Sequence, residues 1–177
     1  LKRRAEIANN ANSKLFISIH CNAHKNKRVS GMEIYFLSEA KTESAQRVAD
    51  LENASIQFED NPGYYNNILD IHQKILNDMK SNVFLKESQD ICKLVLDSST
   101  SSTRQINRGV KQAGFYVMLG TQATMPSILF EIGYISNSKE EKILKRVSHH
   151  KRVAQAIYDA IIEFKRRAER DIISKGN

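Results

Sequence analysis

The spacing of apolar segments constrains the fold of this sequence more than any other feature. Short apolar runs alternate with longer stretches whose apolar residues recur at helical spacing. The runs that predict strands are 15–20, 31–37, 114–119 and 127–131. Strands separated by helices predict an α/β fold, with a mostly parallel central sheet flanked by helices in a single domain.

Helical periodicity predicts helices over 1–12, 41–56 and 84–96, a further one that carries Ile68 to Met79, and a long C-terminal one. Cys92 falls on an apolar helix face, which predicts a core position. The Ser/Thr-rich stretch 98–103 predicts a loop. Ser138 and Glu141 match a capping box at a helix start, and His149-His150 is interpreted as a break between helices.

The chain has 177 residues and a formal net charge of +7. No apolar run approaches the length of a membrane span. A basic chain favours anionic partners such as nucleic acid, acidic lipid or a cell-wall polymer, and charge alone does not choose among them. The basic runs at 2–4 and 165–167 are interpreted as solvated helix faces. The sequence begins with Leu rather than Met, so we expect a piece of a longer chain, and its missing signal peptide leaves the compartment open.

His20 stands at the carboxyl end of the first predicted strand, where α/β sheets collect ligands. A neutral imidazole there suits zinc, although position alone favours a hydrogen-bonded structural histidine. His24 forms a His-x3-His pair with His20, but the segment is a strand followed by a loop rather than one helix face, so we discount His24 as a ligand. His72 is predicted to pack on a helix face.

Glu131 ends the apolar run Ser127–Glu131 and precedes Ile-Gly-Tyr. A carboxylate in apolar surroundings is costly unless it is paired or functional. Desolvation would raise its pKa, which suits a general base or acid near neutral pH. The alternative is an ordinary glutamate at the surface end of a strand.

Four separate motifs resemble those of zinc-dependent N-acetylmuramoyl-L-alanine amidases. Residues 16–23 are similar to the SIHxNA signature, with Cys21 where a small residue is usual. Residues 125–137 resemble the second signature, with Tyr134 in place of the more usual Phe. The segment 108–115 and the helix that contains Leu1, Arg4, Ala8 and Asn9 also match, so the resemblance covers nearly the whole chain in the right order.

The resemblance implies that His20 is a zinc ligand and that Glu131 is the catalytic carboxylate. The two are expected to converge at one end of the sheet. The family's other two ligands, a histidine and a glutamate, precede the matching segment, so this chain is expected to carry one ligand of three, to lack the first strand and metal loop, and to be inactive if nothing precedes it.

The implied function is a peptidoglycan hydrolase that cleaves the amide between N-acetylmuramic acid and L-alanine of the stem peptide, in cell-wall remodelling or daughter-cell separation. The implied location is the periplasm or the cell exterior. The alternative is a noncatalytic wall-binding or regulatory relative with the same fold. A nucleic-acid-binding module is disfavoured because no such motif is present and the aromatic residues do not lie among the basic ones.

Residues 41–82 resemble a regulatory insertion of the cell-division members of this family, in which a helix covers the active site until an activator protein displaces it. Glu52-Asn53 resembles a Glu-Asn pair of that insertion. Glu52 lies on the apolar face of its predicted helix, which suits an autoinhibitory carboxylate. The favoured alternative is a surface glutamate paired with Lys or Arg.

Overall fold

The computed structural model of the chain describes residues 1–59, 83–121 and 124–175. Four strands and six α-helices are formed there, together with a 3₁₀ turn over Ala54–Phe58. In chain order they are α1 Lys2–Asn10, β1 Phe16–Asn22, β2 Met32–Leu37, α2 Glu43–Asn53, α3 Val83–Thr103, β3 Asn107–Ala113, α4 Tyr116–Leu119, β4 Ser127–Tyr134, α5 Ser138–Leu144 and α6 Val147–Lys175. No helix in these described parts is both long and apolar enough to cross a bilayer.

The four strands form one sheet in the order β1-β4-β2-β3. Backbone hydrogen bonds join Phe16 to Pro126 and Ile135 to Asn22, so β1 and β4 pair start to start and end to end. The bonds Met32 to Ile106 and Ser38 to Ala113 show the same for β2 and β3. Two of the three neighbouring pairs are therefore parallel, which confirms the predicted α/β class with a mostly parallel sheet.

The side chain of Glu33, near the start of β2, bonds Asn22 at the end of β1 and Tyr134 at the end of β4. The start of β2 thus lies beside the ends of β1 and β4, and β2 runs opposite to β4. Sequence spacing gave no sign of this reversal.

Contacts divide the chain into two compact units, and the first comprises Leu1–Ser18, Tyr35–Ser88 and Lys111–Leu129. Its core is apolar: Tyr35 and Phe115 meet edge to face with ring centroids 5.0 Å apart, and Leu37, Val48 and Leu129 belong to the same cluster. Burial of such a cluster removes apolar surface from water, which stabilises the folded state by about 25 cal/mol for each Å² buried. The predicted helix that carries Ile68 to Met79 lies outside the described residues.

The second unit comprises Ile19–Ile34, Gln89–Val110 and Phe130–Asn177. The long C-terminal helix α6 buries one stripe at helical spacing, with Val153, Ala156, Ile157 and Ala160 inside. Cys92 is fully buried on α3, as predicted. The first unit is held by apolar packing, whereas the second also buries several charged side chains, which build the candidate site below.

The predicted strand 114–119 is wrong. The strand is β3, Asn107–Ala113, and the apolar residues after it form the single turn α4. β3 lies at an edge of the sheet and is largely exposed, so it carries polar residues rather than an apolar run. Val117 and Met118 belong to this helical turn and are buried, because tertiary packing outweighs strand propensity here.

The predicted Ser/Thr loop 98–103 is also wrong, because α3 continues through it to Thr103. The hydroxyls of Thr100 and Thr103 donate to carbonyls four residues earlier, at 2.8 and 2.7 Å, which satisfies them inside a helix. Helix α5 begins where predicted, but its cap is Asn137, whose side chain accepts from the backbone of Lys139 and Glu140.

Candidate active site

His20 and Glu131 lie on neighbouring parallel strands, each as the fifth residue of its strand. His20 is partly buried. Glu131 is completely buried, at 0% exposure, so the alternative of a surface glutamate at a strand end is wrong. An ionised carboxylate removed from water is expensive, which makes its burial the strongest anomaly of the site.

The pKa of the Cys21 thiol, next to His20, shows which charged groups act on this end of β1. The protein atoms packed around the Cys21 thiol raise its pKa, and the carboxylates of Glu131 and Glu140 raise it further. The negative field of Glu131 therefore reaches the segment that carries His20. A negative field favours a bound cation and disfavours a thiolate.

A second buried carboxylate, Glu33, was missed by the sequence reasoning. Its Oε1 accepts a hydrogen bond from Asn22 Nδ2 at 2.6 Å and another from the Tyr134 hydroxyl at 3.0 Å. Asn22 follows His20 by two residues and Tyr134 follows Glu131 by three, so one carboxylate ties together the ends of both strands. The signal was present in the sequence, since Glu33 is the charged residue in an otherwise apolar run, as is Glu131.

Arg108 completes this cluster. Its Nε lies 3.5 Å from Glu33 Oε2, and its guanidinium carbon is 5.6 Å from the centroid of the Tyr134 ring. The ring therefore contacts a cation on its face while its hydroxyl bonds the carboxylate. This arrangement explains why Tyr134, rather than Phe, suits this chain, because a Phe would leave Glu33 with one donor fewer.

Glu140 is a third buried carboxylate, 5% exposed, in the first turn of α5. Its Oε1 accepts from Gly31 N at 2.8 Å and from Gln105 Nε2 at 2.9 Å, and its Oε2 accepts from Tyr134 N at 2.7 Å. These contacts fix backbone on two sides of the site. Glu140 thus has the pattern of a structural acceptor, since all its hydrogen bonds go to groups that hold the framework.

The segment 23–30, here called the basic loop, joins β1 to β2. Its His24 accepts a hydrogen bond at Nδ1 from Asn26 N at 2.9 Å. That ring nitrogen therefore shapes the loop. His72 lies outside the described residues.

Glu52 lies in the first unit, near the end of α2. Ala45, Val48 and Ala49 are buried on the same helix, and Glu52 is partly buried beside them in the helical repeat. Its neighbour Asn53 donates to Gly114 O at 2.8 Å and accepts from Tyr116 N at 3.0 Å. In the Glu52-Asn53 pair, Asn53 therefore anchors the end of α2 to the segment that follows β3.

A catalytic zinc site needs three protein ligands and an open position. Among residues 1–59, 83–121 and 124–175, no three His, Cys, Asp or Glu side chains are grouped so as to hold a metal ion. The imidazole of His20 fits as one ligand beside a negative field, and the described residues do not supply the other two.

Comparison with known proteins places these residues in a family context. The sequence model of the N-acetylmuramoyl-L-alanine amidase family matches residues 1–163. The amidase AmiA of Escherichia coli K12 is 26% identical over 91% of this chain and 55% of its own length, and AmiC of E. coli O6:H1 is 30% identical over 91% and 38%. The chain thus spans about half the length of AmiA, and less of AmiC.

Solved structures agree. The catalytic domain of CwlV, an N-acetylmuramoyl-L-alanine amidase from Bacillus (Paenibacillus) polymyxa, is 26% identical with a TM-score of 0.59, over 92% of this chain and 64% of that one. The CwlD amidase of Clostridioides difficile, solved in complex with the GerS lipoprotein, has the same TM-score at 22% identity, over 92% and 60%, which shows a shared fold.

Proposed function

The chain belongs to the N-acetylmuramoyl-L-alanine amidase family, and we propose that it is a peptidoglycan hydrolase, which cleaves the amide between the lactyl group of N-acetylmuramic acid and L-alanine of the stem peptide. The observation that carries the proposal is the fully buried carboxylate of Glu131 on the strand next to the one that carries His20. The family match supplies the substrate class, and the buried carboxylate supplies a group suited to the proton transfers of amide hydrolysis.

In this proposal Glu131 is the general base and then the general acid. Its carboxylate removes a proton from the attacking water and afterwards delivers it to the leaving amine nitrogen, which amide cleavage requires. Burial suits this task, because a desolvated carboxylate holds a proton more readily than a solvated one. The Glu33 cluster, which bonds the strand ends beyond His20 and Glu131, would keep the two strands in register during the reaction.

Zinc is the implied cofactor. When bound, zinc supplies a Lewis acid for the scissile carbonyl and lowers the pKa of a coordinated water. We propose His20 as one of its ligands, and a complete site needs ligands besides the described residues. The field of Glu131 supports a cation here, since an opposite charge nearby stabilises it.

The test compares two substitutions in the full-length protein. Glu131→Gln is expected to lower peptidoglycan cleavage by at least about 100-fold while zinc content is kept, because the residue acts on water rather than on the metal. His20→Ala is expected to lower both cleavage and zinc content. Cleavage is followed by mass spectrometry of peptides newly carrying an N-terminal L-alanine, and zinc by elemental analysis.

Two outcomes contradict the proposal. Zinc lost from Glu131→Gln but kept by His20→Ala means that the two roles are reversed. A folded wild-type protein that binds sacculi and zinc but releases no peptide is the noncatalytic wall-binding relative instead.

We further propose that residues 41–82 form a regulatory insertion and that Glu52 restrains the enzyme until an activator protein relieves it. The partial burial of Glu52 on α2 supports this, as does the complex of the CwlD amidase with a lipoprotein. A restrained enzyme has a small competent population, which lowers its apparent affinity for substrate. Such regulation agrees with a location in the cell envelope, periplasmic or extracellular. It also agrees with a role in wall remodelling or cell division.

The test is dye release from labelled sacculi. Glu52→Ala should raise basal activity several-fold at matched zinc occupancy, whereas Glu43→Ala, an exposed change in the first turn of the same helix, should not. Equal activity of Glu52→Ala and wild type would leave Glu52 as the surface glutamate of the alternative interpretation.

A further inference from the structure

We propose that the basic loop, residues 23–30, is a docking surface for the carboxylates of the stem peptide and so selects anionic stems. This inference rests on the proposed function, because that function supplies the peptide. It adds a specificity element that the reaction itself does not require. The argument combines the position of the loop, its rigidity and the state of its charges.

The basic loop begins immediately after Asn22, two residues beyond His20. It therefore follows the carboxyl end of β1, which pairs with the end of the strand that carries Glu131. Three hydrogen bonds tie it to this end of the sheet. His24 N donates to Ser136 Oγ at 2.9 Å, and Asn137 Nδ2 donates to Val29 O at 3.2 Å. Arg108 Nη1, from the Glu33 cluster, donates to Ser30 O at 3.3 Å.

The loop is also braced internally. Asn26 Oδ1 accepts from Arg28 N at 3.0 Å, and Asn26 O accepts from Val29 N at 3.2 Å. The polar groups of Asn26 thus fix the turn, while the side chains of Lys25, Lys27 and Arg28 remain exposed. A fixed backbone lowers the entropy that a ligand must remove on binding.

The charges of this loop are available, unlike several of those on the basic part of α6. On α6, Arg167 and Arg170 pair with Glu163, and Lys165 pairs with Glu169. In the loop, by contrast, Lys25, Lys27 and Arg28 make no ion pair within the described parts of the chain.

Two buried acidic groups of the same unit, Glu33 and Glu140, are engaged in hydrogen bonds away from the cations of the loop. Glu33 bonds Asn22 and Tyr134, and Glu140 bonds the backbone of Gly31. Both are buried. The three cations of the loop thus form no ion pair with a described residue, and such a surface attracts anions and raises their local concentration.

The chemistry that fits is a carboxylate. A stem peptide that is not crosslinked ends in its own C-terminal carboxylate. The loop belongs to the same compact unit as Glu131, so a peptide whose first amide lies near Glu131 can reach it. Lys and Arg bind carboxylates through charge-assisted hydrogen bonds. A phosphate-bearing wall polymer would also be attracted to three cations, and the experiment separates the two.

The experiment measures binding by co-sedimentation with purified sacculi at low ionic strength. The loop variant is Lys25→Gln/Lys27→Gln/Arg28→Gln. The matched control is Lys14→Gln/Lys86→Gln/Lys93→Gln, which removes the same charge at three exposed positions elsewhere. We expect the loop variant to bind about tenfold more weakly and the control to bind like wild type, since exposed ion pairs each contribute modestly.

Neutralising the substrate sharpens the result. Sacculi whose carboxyls have been amidated chemically should bind wild type as weakly as native sacculi bind the loop variant, and combining both changes should add little. Removal of phosphate polymers from the sacculi should leave wild-type binding unchanged. Binding lost on that removal, or loop and control variants that bind alike, overturns the proposal.

Because this readout is binding, it is distinct from the test of the proposed function. A protein that binds through the loop but releases no peptide fails only the proposed function. A protein that cleaves sacculi but ignores the charge of the loop fails only this inference.

Discussion

The two units of this chain bury different kinds of polar side chain. In the described residues of the first unit, the buried polar side chains are hydroxyls, those of Ser18, Ser88, Thr121 and Ser127. The second unit buries the carboxylates Glu33, Glu131 and Glu140 and the imidazole of His149. A hydroxyl costs little to bury once it is bonded, whereas a charge costs several kcal/mol even after relaxation.

The difference shows where the chain gives up stability for another purpose. Each buried carboxylate of the second unit has either a structural set of partners, as Glu140 has, or a position in the candidate site, as Glu131 has. A strand that passes through both units, β4, carries Leu129 in the first and Glu131 in the second.

The largest effect is expected where a charge is placed in the apolar unit. Leu129→Glu should cost about 5 kcal/mol or more, comparable to the whole stability of a domain, because no described partner group in that core can compensate a carboxylate. Urea unfolding followed by circular dichroism measures this, with Leu129→Met, at under about 1.5 kcal/mol, as the control. Glu131→Gln, two residues on, should stay folded; a stable Leu129→Glu would break the contrast.

Removal of the structural carboxylate should come next. Glu140→Ala leaves the N–H groups of Gly31 and Tyr134 without their acceptor and should destabilise the protein by about 3 kcal/mol. Its neighbour Glu141 is exposed and pairs with Lys145, and Glu141→Ala should give no measurable change. Equal unfolding midpoints for the two variants would remove Glu140 from the framework.

A smaller effect is expected from the hydroxyl of Tyr134. Tyr134→Phe keeps the ring but removes one donor to the buried Glu33, which should cost about 2 kcal/mol because the bond is to a charged group. Tyr158→Phe, the same change on an exposed residue of α6, is the matched control. Chemical denaturation of both variants separates the hydrogen bond from the general effect of a lost hydroxyl.

The smallest effect concerns His149, whose pKa is lowered from 6.5 by burial and then by the charges of Arg152 and His150. As the pH falls below about 6.5, the unfolded chain binds a proton before the folded one, so the folded state loses stability until the folded pKa is passed. The slope is at most about 1.4 kcal/mol per pH unit. Urea midpoints between pH 7.5 and 5 should fall less steeply for His149→Leu than for wild type; parallel slopes would show that His149 does not contribute.

The sequence predicted the parts of the fold that have strong periodic signals. Strands β2 and β4 are apolar because they lie inside the sheet and are buried, and the apolar run of β4 made a buried Glu131 one of two open interpretations. β1 was predicted from its apolar run although it is only partly buried. Strand β3 was missed because its residues are mostly polar, whereas β1, at the other edge of the described sheet, keeps an apolar run. The His149-His150 break was placed slightly late, since α6 begins at Val147 and His149 is buried within it.

The candidate site could be predicted only in part. His20 and Glu131 were found from their positions at strand ends, together with the motifs around them. The cluster around Glu33 depends on β2 running against β4, and on Asn22, Tyr134 and Arg108 meeting across three strands. Periodicity along one segment carries no information about such a meeting.

The pairing of β1 with β4 has a consequence for how the protein matures. The contact between His24 and Ser136, just beyond these strands, joins residues 112 positions apart in the sequence. Closing so long a stretch of chain is entropically costly, and proteins dominated by such distant contacts reach the native state slowly. His20 and Glu131 reach neighbouring strands only after this closure, so a nascent or partly folded chain does not yet contain the candidate site.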